Sequence, residues 1–89
     1  MGMKIRFFGS PECRDCMGIF VLLNKFNIDY DHIDATEDDD ELQDFCDEHE
    51  VEELPHLQFI DDENIILQHI GPLKEEELIG YLIDYFPEY

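Results

Sequence analysis

An α/β architecture of element order β-α-β-α-β-β-α is predicted by three features of this 89-residue sequence. Apolar residues recur at three- and four-residue spacing within residues 13–27, 42–49 and 78–86, which is a helix period. Four short runs rich in β-branched and aromatic residues precede and separate those stretches. Two of the runs are linked by Asp61-Asp62-Glu63-Asn64, a connection that only antiparallel strands can use.

Met3–Phe8 (MKIRFF) reads as the first strand, and Gly9-Ser10-Pro11 breaks it. Ser10 is suited to cap the next helix and Pro11 to fill its first turn. That helix runs from Cys13 to about Asn27, with Cys16, Ile19, Phe20, Leu23 and Phe26 on one face. Ile28–Ala35 follows as a strand in which Ile28, Tyr30 and His32 alternate with Asp29 and Asp31. Thr36 is expected to cap the second helix. Its first turn, Glu37 to Glu41, would place acids at the positive end of the helix dipole. Leu42, Phe45, Cys46 and His49 form its inner face, and Val51–Leu54 is a loop. Pro55–Ile60 and Ile65–Ile70 are the hairpin strands, and Gly71-Pro72 ends the sheet. Leu78, Ile79, Leu82, Ile83 and Phe86 mark a last amphipathic helix.

The formal net charge is −19, from 5 basic and 24 acidic residues, and it is unevenly spread. Residues 28–53 hold fourteen acids and no Lys or Arg, whereas Lys4, Arg6, Arg14 and Lys25 all lie within residues 1–27. Such a surface excludes nucleic acid and anionic membrane as natural partners. It reads as a solvated, self-repelling face or as a docking face for a basic partner. A hydrophobic content of 44% is that of an ordinary globular domain, so the charge does not signal disorder. No run approaches a membrane span, and the amino end lacks the apolar stretch of a signal peptide. One domain over residues 1–89, working in the cytoplasm, is the expectation.

Three cysteines suit that compartment. Cys13 and Cys16 enclose too short a loop to staple the fold, so the value of the pair is chemical. A CxxC that leaves a strand and opens a helix has a physical logic. The attacking species is a thiolate, and the unpaired amides and positive dipole of a helix start favour it. The second cysteine lies one turn inside and can attack the resulting mixed disulfide. Arg14 adds positive charge beside Cys13, and Asp15 partly cancels it.

Metal binding is the rival use of these residues. Cys13, Cys16, Cys46 and His49 form a C-x2-C…C-x2-H set, but a complete strand separates its halves. Cys46 also lies in line with Leu42 and Phe45, as a small core residue would. His49 near the helix end fits a partner for the C-terminal dipole better than a ligand.

Three landmarks give the chain a resemblance to the thioredoxin and glutaredoxin family: strand-CRDC-helix, Glu53-Leu54-Pro55-His56, and Ile70-Gly71-Pro72-Leu73 followed by Glu77-Leu78. The segment from Ser10 to Cys16 is similar to short glutaredoxin-like reductases, and residues 53–85 resemble a thioredoxin carboxyl half. The resemblance implies a thioredoxin fold, with a four-stranded mixed sheet flanked by three helices. It also implies a cis peptide bond before Pro55, with Leu54-Pro55 lying against the cysteines as a substrate ledge. The departures are specific. CRDC is neither CGPC nor CPYC, and Glu12 stands where thioredoxins place an aromatic residue. Phe7 and Phe8 occupy the region of thioredoxin's buried acid, and Ser10 and Gly71-Pro72-Leu73 replace the glutathione contacts of glutaredoxins.

The expected activity is that of a thiol-disulfide oxidoreductase, with Cys13 as nucleophile and Cys16 resolving the mixed disulfide. Arg14 would contact the substrate or tune Cys13. The dithiol is itself the redox group, so no cofactor is required. Expected partners are disulfide-containing proteins and a dithiol or flavin reductase as donor, with glutathione as the other candidate. The competing readings are a metal-delivery module on the same cysteines and a redox-weak adaptor working through its acidic helix.

Overall fold

A computed structural model describes residues 3–87; Met1, Gly2, Glu88 and Tyr89, the outer limits of the expected domain, lie outside the described residues. The elements are β1 (Met3–Gly9), α1 (Arg14–Lys25), β2 (Tyr30–Asp34), α2 (Asp40–Glu48), β3 (His56–Asp61), β4 (Asn64–Ile70) and α3 (Glu75–Tyr85). The strands form one mixed sheet of order β2-β1-β3-β4. β1 and β2 are parallel, as a crossover through a helix requires, and the other pairs are antiparallel. The fold expected from the sequence is therefore the fold observed.

Strand alternation divides the sheet into two unlike faces. Ile5 and Phe7 of β1 and Leu57 and Phe59 of β3 meet Cys16, Ile19 and Leu23 of α1 together with Leu73, Leu78 and Phe86 around α3. This is the main core, and a Lys25–Glu75 ion pair links the end of α1 to the start of α3. On the opposite face Phe8 stacks on Phe45 of α2 at 5.9 Å and meets His56 edge-on at 5.6 Å. The hairpin turns through Asp62 and Glu63, both at positive φ, so β3 and β4 reach one residue further than expected. β4 is an edge strand that leaves Ile65, Ile66 and Ile70 exposed.

Both predicted caps move. The Ser10 carbonyl instead accepts the Cys13 amide at 3.2 Å, closing a turn that contains Pro11. The chain becomes helical only at Arg14, so Cys13 is the N-cap, and its Sγ accepts the Cys16 amide at 3.2 Å. Thr36 donates its amide and hydroxyl to Asp34 Oδ1, at 2.9 and 2.6 Å, and is spent on ending β2. Those two bonds, the hydroxyl's first, hold the Asp34 carboxyl below the usual carboxylate range. Asp39 caps α2 in its place, accepting the amides of Glu41 and Leu42 at 2.9 and 3.4 Å. In α3, Leu78 is buried and Leu82 half-buried, while Ile79 and Ile83 are exposed. α3 has one packed side only, so the inward stripe is narrower than its apolar pattern.

A chain of polar side chains crosses the α2 face. Arg6 Nη1 donates to Gln58 Oε1 at 2.8 Å, and the guanidinium carbon Cζ lies 5.2 Å from the centre of the Phe45 ring. A guanidinium can only donate, which fixes the amide of Gln58 and turns its Nε2 toward His49 Nδ1, 3.2 Å away. That nitrogen is thus an acceptor and the ring is neutral, not the cationic dipole partner expected. Burial, followed by the nearby Arg6 charge, pushes the His49 pKa down.

A group whose folded pKa lies below its unfolded value favours folding fully above the unfolded value and loses that contribution as pH falls through the folded one. His49→Gln keeps an acceptor for Gln58 but cannot titrate. The melting temperature of the native protein, measured relative to this variant, should therefore decline as pH is lowered from about 6.5. A difference that stays constant across that range would contradict the neutral ring.

Candidate active site

β1 ends on Gly9, and the turn through Ser10, Pro11 and Glu12 delivers Cys13 to the first amides of α1. Cys13 and Cys16 are joined as a disulfide with their Cα atoms 5.3 Å apart. The two sulfurs differ in setting: Cys13 is partly exposed, while Cys16 is 1% exposed and belongs to the core beneath the first turn. Arg14, the first residue of α1, is exposed.

Cys16 lies against the backbone of β1. A Cβ placed on Gly9 would stand 2.9 Å from Cys16 Sγ, 3.1 Å from the Phe7 ring and 3.3 Å from His32 Nε2. Side chains do not approach that closely, so this position requires glycine for space. Sequence reasoning treated Gly9 as a strand breaker only. Its parity with Ile5 and Phe7, which point into the core, was the available signal that residue 9 faces α1. His32, read as one member of an alternating strand, is the other residue missed. It packs edge-on to Phe7 and Phe20, with ring centres 5.2 and 4.9 Å away.

The Leu54–Pro55 bond is cis, in agreement with the expectation from the resemblance. Pro55 is buried, Leu54 is half-buried, and the Pro55 carbonyl accepts the Gly71 amide at 2.9 Å. His56 pairs with Phe8 across the antiparallel strands. Leu54-Pro55 and the Gly9–Cys13 turn thus lie at the same end of neighbouring strands.

Cys46 is buried on α2, and desolvation raises the pKa of its thiol. Among the described residues no group of three or more His, Cys, Asp or Glu side chains is placed to hold a metal ion. The C-x2-C…C-x2-H set is accordingly not assembled, and Cys46 and His49 belong to the opposite face of the sheet from Cys16. No helix among the described residues is long and apolar enough to cross a membrane.

In overall structure the chain is similar to thioredoxin 1 of Thermosipho africanus TCF52B, with a TM-score of 0.73, 23% identity and 94% of each chain covered. Thioredoxin O2 of Arabidopsis thaliana in its oxidised state superposes with a TM-score of 0.75 at 18% identity, covering 94% of this chain and 75% of that one. Thioredoxin f2 of Chlamydomonas reinhardtii gives 0.78 at 13% identity, covering 98% and 82%. The chain has the thioredoxin fold. By sequence, no family model and no curated protein matches it.

Within this thioredoxin fold, the arrangement supplies what two-electron thiol chemistry needs. A partly exposed sulfur sits at a helix start, a second sulfur lies one turn behind it, and the adjoining strand residue, Gly9, carries no side chain of its own. Gly9→Ala should therefore harm the fold directly, since the neighbour it meets is a sulfur tied into a disulfide. The expected loss is about 1–3 kcal/mol, the range for overpacking, read as a lowered denaturant midpoint of the oxidised protein. An unchanged midpoint would show that α1 can withdraw from β1 at little cost.

Proposed function

We propose that this chain is a thiol-disulfide oxidoreductase that reduces disulfides in protein substrates. The observation that carries the reading is the Cys13–Cys16 disulfide at the start of α1, with one sulfur reachable and the other buried. In the reduced protein, the amides and dipole of the helix start favour a thiolate on Cys13, and the Cys16 amide already points at that sulfur. The Cys13 thiolate attacks a substrate disulfide, forming a mixed disulfide and releasing one substrate thiolate. Cys16 then attacks Cys13 Sγ, which restores the intramolecular disulfide and releases the second thiolate. Two electrons pass to the substrate, and the pair needs re-reduction in a compartment that keeps thiols reduced, such as the cytoplasm. Leu54 and Pro55 provide the ledge beside the cysteines, and Arg14 meets the substrate or tunes Cys13.

The donor in this reading is a dithiol protein or a flavin reductase that docks the acidic surface through a basic one. Glutathione would find Ser10 and Gly71-Pro72-Leu73 where glutaredoxins hold it, with Arg14 as the nearby cation.

Iodoacetamide at neutral pH should label Cys13 ahead of Cys16 in the reduced protein, and mass spectrometry of the quenched digest reads the order. Cys16→Ser should accumulate a stable mixed disulfide with a substrate, whereas Cys13→Ser should abolish exchange. Preferred labelling of Cys16 would reverse the two roles.

For the donor, reduction by a basic dithiol reductase should slow as salt is raised, because steering between opposite charges is screened. Glutathione-driven turnover should be weak. Efficient, saturable turnover with millimolar glutathione that ignores salt would overturn this choice of donor.

A further inference from the structure

Resolution of the mixed disulfide requires a proton to leave Cys16, because the attacking species is the thiolate. Cys16 lies in the core, 1% exposed, where charge is disfavoured and bulk water has no direct access. A proton acceptor within reach of this sulfur is therefore a chemical need of the fold's own geometry.

The structure places such a group beside it. His32 Nε2 and Cys16 Sγ both approach the bare Cα of Gly9, at 3.3 and 2.9 Å from the position a Cβ would take. The two atoms can be no further apart than the sum of those distances, a separation that one bridging water spans. A Cβ at residue 9 would crowd both atoms. The ring itself is held in place. Phe7 and Phe20 pack edge-on against it from β1 and α1, and Phe7 is its register partner across the parallel pair. Yet His32 is exposed on its remaining side, so a proton taken from the core can pass to solvent.

We propose that His32 is the proton carrier of Cys16, an inference that rests on the reading of Cys16 as the resolving thiol. During resolution the neutral imidazole takes the Cys16 proton as Cys16 Sγ bonds to Cys13 Sγ. The bond from Cys13 to the substrate sulfur breaks, and the departing thiolate is protonated by the imidazolium or by water. In re-reduction the donor thiolate attacks Cys13, the Cys13–Cys16 bond breaks, and the imidazolium returns a proton to the leaving Cys16 thiolate. Electrons and protons balance in both directions. Histidine is the side chain suited to giving and taking a proton near neutral pH.

Around His32, β1 contributes Phe7 and Gly9, and α1 contributes Phe20 and the Cys16 sulfur. On β2 itself, Tyr30 and Asp34 stand two residues to either side, and the electrostatic interaction of Asp34 with His32 favours the carboxylate. Asp34 is in turn engaged by Thr36. Its carboxyl, held below the usual carboxylate range, places a negative charge on the same strand as His32.

The test uses the full chain carrying His32→Gln, and separately His32→Phe, which retains the packing on Phe7 and Phe20. Stopped-flow measurement with a small aromatic disulfide separates the attack of Cys13 from the release that Cys16 brings about. Both variants should form the mixed disulfide at the native rate. At pH 7 both should resolve it about a hundred-fold more slowly, the low end of what general base catalysis contributes. The deficit should shrink as pH rises through about 8.5 and beyond, where a thiol ionises unaided. Equal resolution rates and equal pH profiles in native protein and variants would overturn the role of His32. So would a His32→Phe protein that resolves normally, since packing alone would then explain the residue. Failure of the native protein to form a mixed disulfide at all would instead refute the oxidoreductase reading, and the two failures are told apart within one experiment.

Discussion

The first turn of α1 can lie against the end of β1 because residue 9 has no side chain. That contact sets the depth at which Cys16 is buried, and through the four-residue CxxC it also sets how far Cys13 rises toward solvent. It fixes the packing of Ile19 and Leu23 further along the same helix face, and hence the main core they share with Phe7, Leu57 and Phe59. The unlike exposure of the two sulfurs is thus a result of helix docking. A larger residue at position 9 would lift the whole helix start, exposing core and disturbing the cysteines together.

The sheet's two faces answer to different physics. Toward α1 and α3 the contacts are apolar and nondirectional, so their contribution scales with buried area. Toward α2 the helix is short, and Arg6, Gln58, His49, Gln68 and His56 carry hydrogen bonds across the space it leaves. Such a network is directional and fixes the register of side chains that a purely apolar face would leave interchangeable. The acid-rich segment leading into α2 gains little from packing. It is held by local bonds such as those from Thr36 to Asp34 and from Glu41 to Asp39.

How much of this was legible in the sequence follows from range. Periodicity, residue type and turn chemistry placed all seven elements and gave Cys16, Ile19 and Leu23 as part of the inner face of α1, since those signals are local. The helix starts were misplaced for a local reason too: two suitable caps compete within a few residues, and the chain used Cys13 over Ser10 and Asp39 over Thr36. Thr36 could not be judged without knowing that Asp34 ends a strand and claims it. His32 beside Cys16, and Arg6 reaching Gln58, depend on strand pairings between distant residues. No window along the chain contains that information. The exposure of Ile79 and Ile83 has the same origin, since an apolar pattern does not say how many sides of a helix will be covered.

β4 closes one edge of the sheet with no strand beyond it among the described residues, and Ile65, Ile66 and Ile70 are exposed along it. Bare edges of this kind invite strand pairing between copies, and proteins commonly guard them with charges set into the edge itself. Here the strand between Asn64 and Ile70 carries no Lys, Arg, Asp or Glu. The guard is instead the mutual repulsion of whole molecules at a net charge of −19. Colloidal stability is thereby delegated from one strand to the ionisation state of the entire surface. Acidification toward the isoelectric point near 4.1 removes that protection while leaving the edge in place.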